Sequence, residues 1–265
     1  GTHDTEEVRL RWAAGDDYDV IAKLGTGSFG SVWRVRDLSL GREVALKLLH
    51  PHVARDERTV ARFRREAQLT AQLAHPAIVP IYDFDNRGNV TWYTMELAEN
   101  GSVADLVKSS GPRPLAEVAP QVDAVLDALV AAHSIGVIHR DLKPENVLID
   151  RYRRWRVADF GIANIAGEEA GGTSGTPAFA APEQLLGEAQ DAAADTYSLA
   201  GILYFALTGL PPFGESDPKV ILSRIFQGQL DVSGLDPEIG DWLPRAMAPD
   251  AAARFADPAD MQASW

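Results

Sequence analysis

Between the apolar flanks Val137-Ile138 and Val147-Leu148-Ile149, the chain packs an acid, a cation and an amide into six positions: Asp141, Lys143 and Asn146. The flanks have the composition of buried elements. The middle, interrupted by Pro144, does not suit a helix, so the three polar side chains are expected on a loop between buried segments, where reactive groups are usually displayed. A plain polar turn accounts for one or two such residues, and the full string His139-Arg140-Asp141-Leu142-Lys143-Pro144-Glu145-Asn146 asks for more.

The rest of the chain must build a scaffold for that loop. Its 265 residues suit one large domain, or two lobes, able to bury a core without staples. The absence of cysteine excludes disulfides and thiolate metal sites and agrees with a reducing cytosol. The longest apolar segment, Leu199 to Leu207, falls far short of the roughly 20 residues needed to span a bilayer, so no membrane segment is expected in this chain. Gly1-Thr-His-Asp4 lacks an initiator Met and any basic or apolar leader, and reads as an excised piece or a tag scar. The formal charge of −13 is concentrated in the second part: residues 160–265 hold 4 Lys/Arg against 15 Asp/Glu. Nucleic-acid binding is disfavoured by that balance. Two readings of the acidic surface stand, a solubilising coat and a field that attracts basic substrates.

Residues 1–17 are polar and acidic apart from Val8, Leu10 and Trp12, and are expected as an N-terminal extension, with order beginning near Tyr18. Alternation in Val20, Ala22 and Leu24, the turn Gly25-Thr-Gly27-Ser-Phe-Gly30, and then Val32 and Val35 predict two strands. Glycines at such a turn allow backbone N–H groups to approach anionic oxygens. A dinucleotide-binding turn would open a helix next. The β-prone Ser31-Val-Trp-Arg-Val35 favours a hairpin instead.

Glu43 to Leu49 is an apolar strand holding Lys47, which must reach solvent or find anions, because burying an unpaired ammonium is costly. Arg58 to Leu73 has helical spacing, with Phe63, Glu66, Thr70 and Leu73 on one face. A carboxylate on that face needs a partner: Lys47, or Arg62 one turn earlier. A strand pair follows, turned at residues 86–89, and its second strand empties into the Gly-bearing connection 96–101.

Beyond it, Val122, Val125, Leu126, Leu129 and Val130 mark an amphipathic helix within 118–136 that delivers the chain to His139. Val147 to Val157 reads as a short hairpin with a solvated basic tip. Asp159-Phe-Gly161 follows, 18 residues after Asp141. Hard divalent cations prefer carboxylate and amide oxygens, which Asp159 and Asn146 supply. Residues 162–179 carry no periodicity and are expected as a loop, and Leu199, Ile202, Leu203 and Ala206 of the next helix are expected in the core.

Taken together, the His139–Asn146 string, the glycine turn, Lys47 and Asp159-Phe-Gly161 resemble the eukaryotic-type (Hanks-type) serine/threonine protein kinases, most of all the bacterial members. The likeness covers residues 18–263. It implies an α+β, two-lobed fold, with a mostly antiparallel β N-lobe (18–98, hinge 96–101) holding one key helix, and a mainly helical C-lobe (99–265).

It also implies transfer of the ATP γ-phosphoryl group to protein Ser/Thr hydroxyls in bacterial signal transduction. Asp141 would be the catalytic base, Lys143 would offset developing charge, and Lys47 positioned by Glu66 would hold the α/β-phosphates. ATP would be enclosed by Leu24, Gly25, Gly27, Gly30, Val32, Ala45, Lys47, the gatekeeper Met95, the backbones of Glu96 and Ala98, and Leu148. Asn146 and Asp159 would hold Mg²⁺ or Mn²⁺.

Structural roles are implied for Arg140, Thr176, Glu183 of the Ala181-Pro-Glu183 closure, Asp195 beneath the loop and Arg254 as the partner of Glu183. Read alone, Asp195 is equally a helix N-terminal carboxylate. Thr173 and Ser174 are candidate autophosphorylation sites. Asn164 stands where relatives carry Arg or Lys, so Glu168 and Glu169 are expected to replace part of a phosphate's charge. The resemblance further allows a homodimer through the N-lobe and implies a cytoplasmic domain, any membrane or sensor region lying outside this chain. Rival readings are a pseudokinase scaffold and a small-molecule phosphotransferase. The intact Lys47, Asp141, Asn146 and Asp159 speak against the first, and the Ala181-Pro-Glu183 closure against the second.

Overall fold

Runs rich in apolar, β-branched and aromatic residues give the first part of the chain its strands. In the computed structural model, which describes residues 2–27, 29–160, 177–188 and 191–265, these are β1 (Tyr18–Thr26), β2 (Gly30–Asp37), β3 (Arg42–Leu49), β4 (Ile81–Arg87) and β5 (Val90–Met95). They form one antiparallel sheet in the order β1-β2-β3-β5-β4. The chain divides into two units. One holds the described residues of Gly1–Ala74, Val79–Ala98 and Phe160–Gly175; the other holds those of His75–Ile78, Glu99–Asp159 and Thr176–Trp265.

The sheet unit contains a correction to the sequence reading. Residues 1–17 do not stand apart from the fold: Thr2–Ala14 form helix α1, whose Leu10, Ala13 and Ala14 are buried with Tyr18, Trp33, Val35, Leu46 and Trp92. The sequence hid this because α1 is polar on all but a narrow stripe, and two of its three large apolar residues, Val8 and Trp12, face outward. Polar ties fix the helix to the sheet. Lys23 pairs with Glu6 at 2.8 Å, and Arg87 donates to the Ala13 carbonyl at 3.0 Å while pairing with Asp17 at 2.9 Å.

The helix expected over 58–73 is α2 (Glu57–Ala71), capped by Asp56, whose side chain accepts from Thr59 N at 2.7 Å. Its buried face carries Thr59, Phe63, Ala67 and Thr70.

Helices dominate the second unit: α3 (Val103–Ser110), α4 (Leu115–Ser134), α5 (Pro182–Leu185), α6 (Ala192–Thr208), α7 (Pro218–Gln227), α8 (Pro237–Ala246) and α9 (Pro258–Ser264). α3 opens with a capping box in which Ser102 and Asp105 satisfy each other's backbone N–H. The apolar stripe read from the sequence of α4 is fully buried at Val122, Val125, Leu126 and Leu129. Leu199, Ile202, Leu203 and Ala206 of α6 are buried too. β6 (Val147–Ile149) and β7 (Trp155–Val157) make the expected short hairpin. Among the described residues no helix is long and apolar enough to cross a membrane.

Candidate active site

The His139–Asn146 loop leaves the end of α4 and is held by buried groups of its own unit. Asp195, in the first turn of α6, is 1% exposed and accepts three hydrogen bonds of 2.8 Å: from the N–H groups of His139 and Arg140, and from Nε2 of His133. A carboxylate that buried is stable only with such a set of donors. His139, also buried, has a defined tautomer. Its Nδ1 accepts from Asp141 N at 3.1 Å, so Nε2 carries the proton and donates to the Ala158 carbonyl at 2.7 Å.

Two residues of this region occupy the left-handed backbone region without being glycine: Arg140 at φ 71° and Asp159 at φ 65°. Each such residue costs on the order of 1–2 kcal/mol and persists only where its surroundings impose it. Sequence reasoning missed both, because neither Arg nor Asp-before-Phe signals a positive φ. The surroundings are visible at Arg140. Its N–H donates to Asp195 Oδ1, and its carbonyl accepts from Gln184 Nε2 at 2.6 Å.

Asn146 closes the loop by donating from Nδ2 to the Asp141 carbonyl at 2.8 Å. That bond settles which end of the amide is which and turns Oδ1 the other way, as a ligand to a hard cation requires. The Asn146 carbonyl accepts from Ala158 N at 2.9 Å, so the loop backbone lies against the residue preceding Asp159. Asp141 and Asp159 are both partly exposed. Oδ2 of Asp141 lies 3.3 Å from Lys143 Nζ and, among the described residues, accepts no hydrogen bond. No cluster of three or more His, Cys, Asp or Glu that could hold a metal ion occurs among the described residues.

Further along this unit, Glu183 of α5 meets Arg254, whose side chain is 1% exposed, at 2.7 and 2.9 Å. Arg254 lies over the ring of Tyr197, and its remaining donors reach the carbonyls of Ala248, Ala193 and Pro249. Burial pushes the Tyr197 phenol well above the ordinary tyrosine range. Asp150, at the β6–β7 turn, goes the other way. Burial would raise its carboxyl, but the N–H groups of Arg154 and Tyr152 and the Arg154 guanidinium outweigh it and lower the pKa.

In the sheet unit, the glycine turn joins β1 to β2 as a hairpin, with Gly27 N donating to Gly30 O at 2.8 Å. Its glycines have different causes. A Cβ on Gly30 would sit 2.2 Å from the Leu48 carbonyl, so β3 excludes any side chain there. At Gly25 a Cβ would meet nothing within 4 Å, and at Gly27 only Gly30 O at 3.9 Å. The described fold therefore does not demand glycine at these two places, whereas a ligand lying against the turn would.

Val32 stands opposite Lys47, which stands opposite Tyr93, and Ala45 stands opposite Met95. Lys47 and Glu66 are both half-buried, and Leu24 is exposed. Glu96 N donates to the Pro80 carbonyl at 3.1 Å. In the other unit, Leu148 is half-buried in β6. Thr173, Ser174 and Thr176, with Asn164, Glu168 and Glu169, lie outside the described residues.

Comparison with known proteins bears on the same residues. A family model described as the protein kinase domain matches residues 18–249. The chain is 36% identical over 239 residues to the DNA damage-responsive serine/threonine-protein kinase RqkA of Deinococcus radiodurans, covering 87% of the chain and 36% of that protein. It is 35% identical over 262 residues to the serine/threonine-protein kinase PknB of Mycobacterium leprae, covering 94% and 42% respectively. With the serine/threonine-protein kinase PknF of Mycobacterium tuberculosis the identity is 37% over 238 residues, covering 86% and 49%. The chain thus spans less than half the length of these curated relatives.

Proposed function

The chain belongs to the protein kinase domain family, and we propose that it is a bacterial serine/threonine protein kinase that transfers the γ-phosphoryl group of ATP to hydroxyls of protein substrates. The observation that carries this reading is the His139–Asn146 loop, with Asp141 presented on a backbone tied down by Asp195, His139 and Asn146. Phosphoryl transfer leaves a protein little covalent work. Positioning and charge stabilisation supply most of the rate, so a rigid loop is the relevant property.

In this reading Asp141 orients the substrate hydroxyl and takes its proton, and Lys143 offsets charge as the phosphoryl group passes. Lys47, positioned by Glu66, holds the α/β-phosphates, and the glycine turn at Gly25 and Gly27 approaches them with backbone N–H groups. Leu24, Val32, Ala45, Met95 and Leu148 enclose the base, whose edge is read by the backbones of Glu96 and Ala98. A divalent cation, Mg²⁺ or Mn²⁺, fits the oxygen donors of Asn146 and Asp159 and would neutralise charge on the phosphate oxygens. Thr173 and Ser174 are the autophosphorylation sites of this reading.

Incubation with γ-labelled ATP and a generic basic acceptor protein tests it. Label is expected on Ser and Thr, and is lost in a Lys47→Met variant. Asp141→Asn is expected to cut turnover by about 10²–10⁴ while ATP binding persists. ATP binding without any transfer by the wild-type protein would indicate a scaffold instead. Transfer to a small molecule but to no protein would indicate the other rival.

A further inference from the structure

One buried amide close to the loop has a role that the reading above leaves unassigned. Gln184 is 7% exposed and lies in α5, 44 residues from Arg140 in sequence. Its Oε1 accepts from Ala181 N at 2.8 Å. That contact fixes the orientation of the amide, because an N–H can face only the oxygen, and it leaves Nε2 to donate to the Arg140 carbonyl at 2.6 Å. The peptide group joining Arg140 to Asp141 is therefore gripped at both ends. Its oxygen is held by Gln184, and its N–H is held by His139 Nδ1 at 3.1 Å.

The plane of that peptide decides where the Asp141 side chain leaves the backbone. Among the described residues the Asp141 side chain is tied to the Lys143 ammonium, 3.3 Å from an Oδ2 that accepts no hydrogen bond, so its direction must come largely from the backbone. Arg140 meanwhile sits at φ 71°, a conformation that relaxes unless both its N–H and its carbonyl are engaged. Asp195 engages the first and Gln184 the second.

We propose that Gln184 is a positioning residue for phosphoryl transfer, holding the Arg140–Asp141 peptide in its left-handed setting by the hydrogen bond from Nε2 to the Arg140 carbonyl. Through Oε1, the same side chain makes that setting depend on the backbone at Ala181, at the head of α5. This rests on the kinase reading. It concerns how Asp141 is aimed, not whether Asp141 is the base.

Gln184→Glu keeps shape and volume but sets a second acceptor against the carbonyl. Gln184→Leu removes the donor and introduces no charge. Both variants are expected to lower kcat by about ten-fold or more at pH 8, with the KM for ATP within about two-fold of wild type. Burial raises a carboxyl's pKa, so the introduced acid regains a proton on moderate acidification and can then donate to the carbonyl. The activity of Gln184→Glu relative to wild type should therefore recover towards pH 6, while that of Gln184→Leu stays flat. A merely structural role does not produce that difference.

Amide hydrogen exchange at Asp141 supplies a readout independent of catalysis, and it should quicken in both variants. A kcat within about two-fold of wild type for Gln184→Leu, or unchanged exchange at Asp141, overturns the proposal. A wild-type protein that transfers no phosphate, together with faster exchange in the variants, overturns the kinase reading and leaves the backbone clamp standing.

Discussion

Replacing Arg254 by lysine keeps the charge and removes the fork, so it isolates what geometry contributes at the buried pair with Glu183. The guanidinium makes five hydrogen bonds: Nε to Ala248 O, Nη1 to Glu183 Oε1 and Ala193 O, and Nη2 to Glu183 Oε2 and Pro249 O. An ammonium carries only three N–H groups, so at least two acceptors lose their donor. Each buried acceptor left without a donor costs about 1–3 kcal/mol, which gives a loss of about 3 kcal/mol for Arg254→Lys. For a chain of this size that is a fall in Tm of about 6–12 °C.

Arg254→Met should be worse, because it strands the Glu183 carboxylate in a site where its side chain is 11% exposed, a loss of about 3–5 kcal/mol. Thermal melts of the two variants at neutral pH, followed by circular dichroism, check both numbers and their order. A fall below about 2 °C for Arg254→Lys, or a Met variant as stable as the Lys variant, would refute the argument that the fork holds this site.

Further outcomes are expected elsewhere. Tyr197→Phe removes a hydroxyl that is buried without a hydrogen-bond partner among the described residues, so it should raise stability by about 1 kcal/mol in urea titration, where most core substitutions lower it. In alkaline spectrophotometric titration the phenols of Tyr18, Tyr197 and Tyr204 should ionise late, because burial raises all three. Their contribution to stability is complete below the ordinary tyrosine pKa and is lost as pH rises towards the folded value. Asp150 has the opposite sign. Its lowered carboxyl stabilises the fold above the ordinary Asp pKa and loses that contribution as pH falls through the folded value, so the stability gap between wild type and Asp150→Asn should close on acidification. Gly30→Ala should destabilise the sheet unit in thermal melts more than Gly25→Ala does, since only the former drives a Cβ into the Leu48 carbonyl.

Short-range signals carried most of what could be read in the sequence. The period of α4, the β6–β7 hairpin and the strand pair turned at 86–89 each depend on residues a few positions apart, and each stands where the pattern places it. The grouping of His139, Asp141 and Asn146 was legible for the same reason. What escaped depends on distance or on backbone conformation. Gln184 finds Arg140 across 44 positions, and nothing about a Gln after Pro-Glu announces it. The positive φ of Arg140 and Asp159 leaves no trace in residue type, unlike a glycine. Helix α1 was obscured by composition, since its burial rests on one leucine and two alanines amid charged residues. The pairing of Arg254 with Glu183, 71 positions apart, was available only through the family resemblance.

Helix α1 separates the region matched by the family from the unit that folds around it. The family match opens at residue 18, yet Leu10 is fully buried beside Trp33 and Trp92. Anyone trimming the gene to the matched region would remove the cover of two tryptophans and the ion-pair partner of Lys23 together. The shortened product would keep every residue assigned to chemistry and still present an uncovered aromatic surface to water, with the aggregation that such surfaces bring. For this chain, the region matched by the family and the folded sheet unit are different lengths of polypeptide.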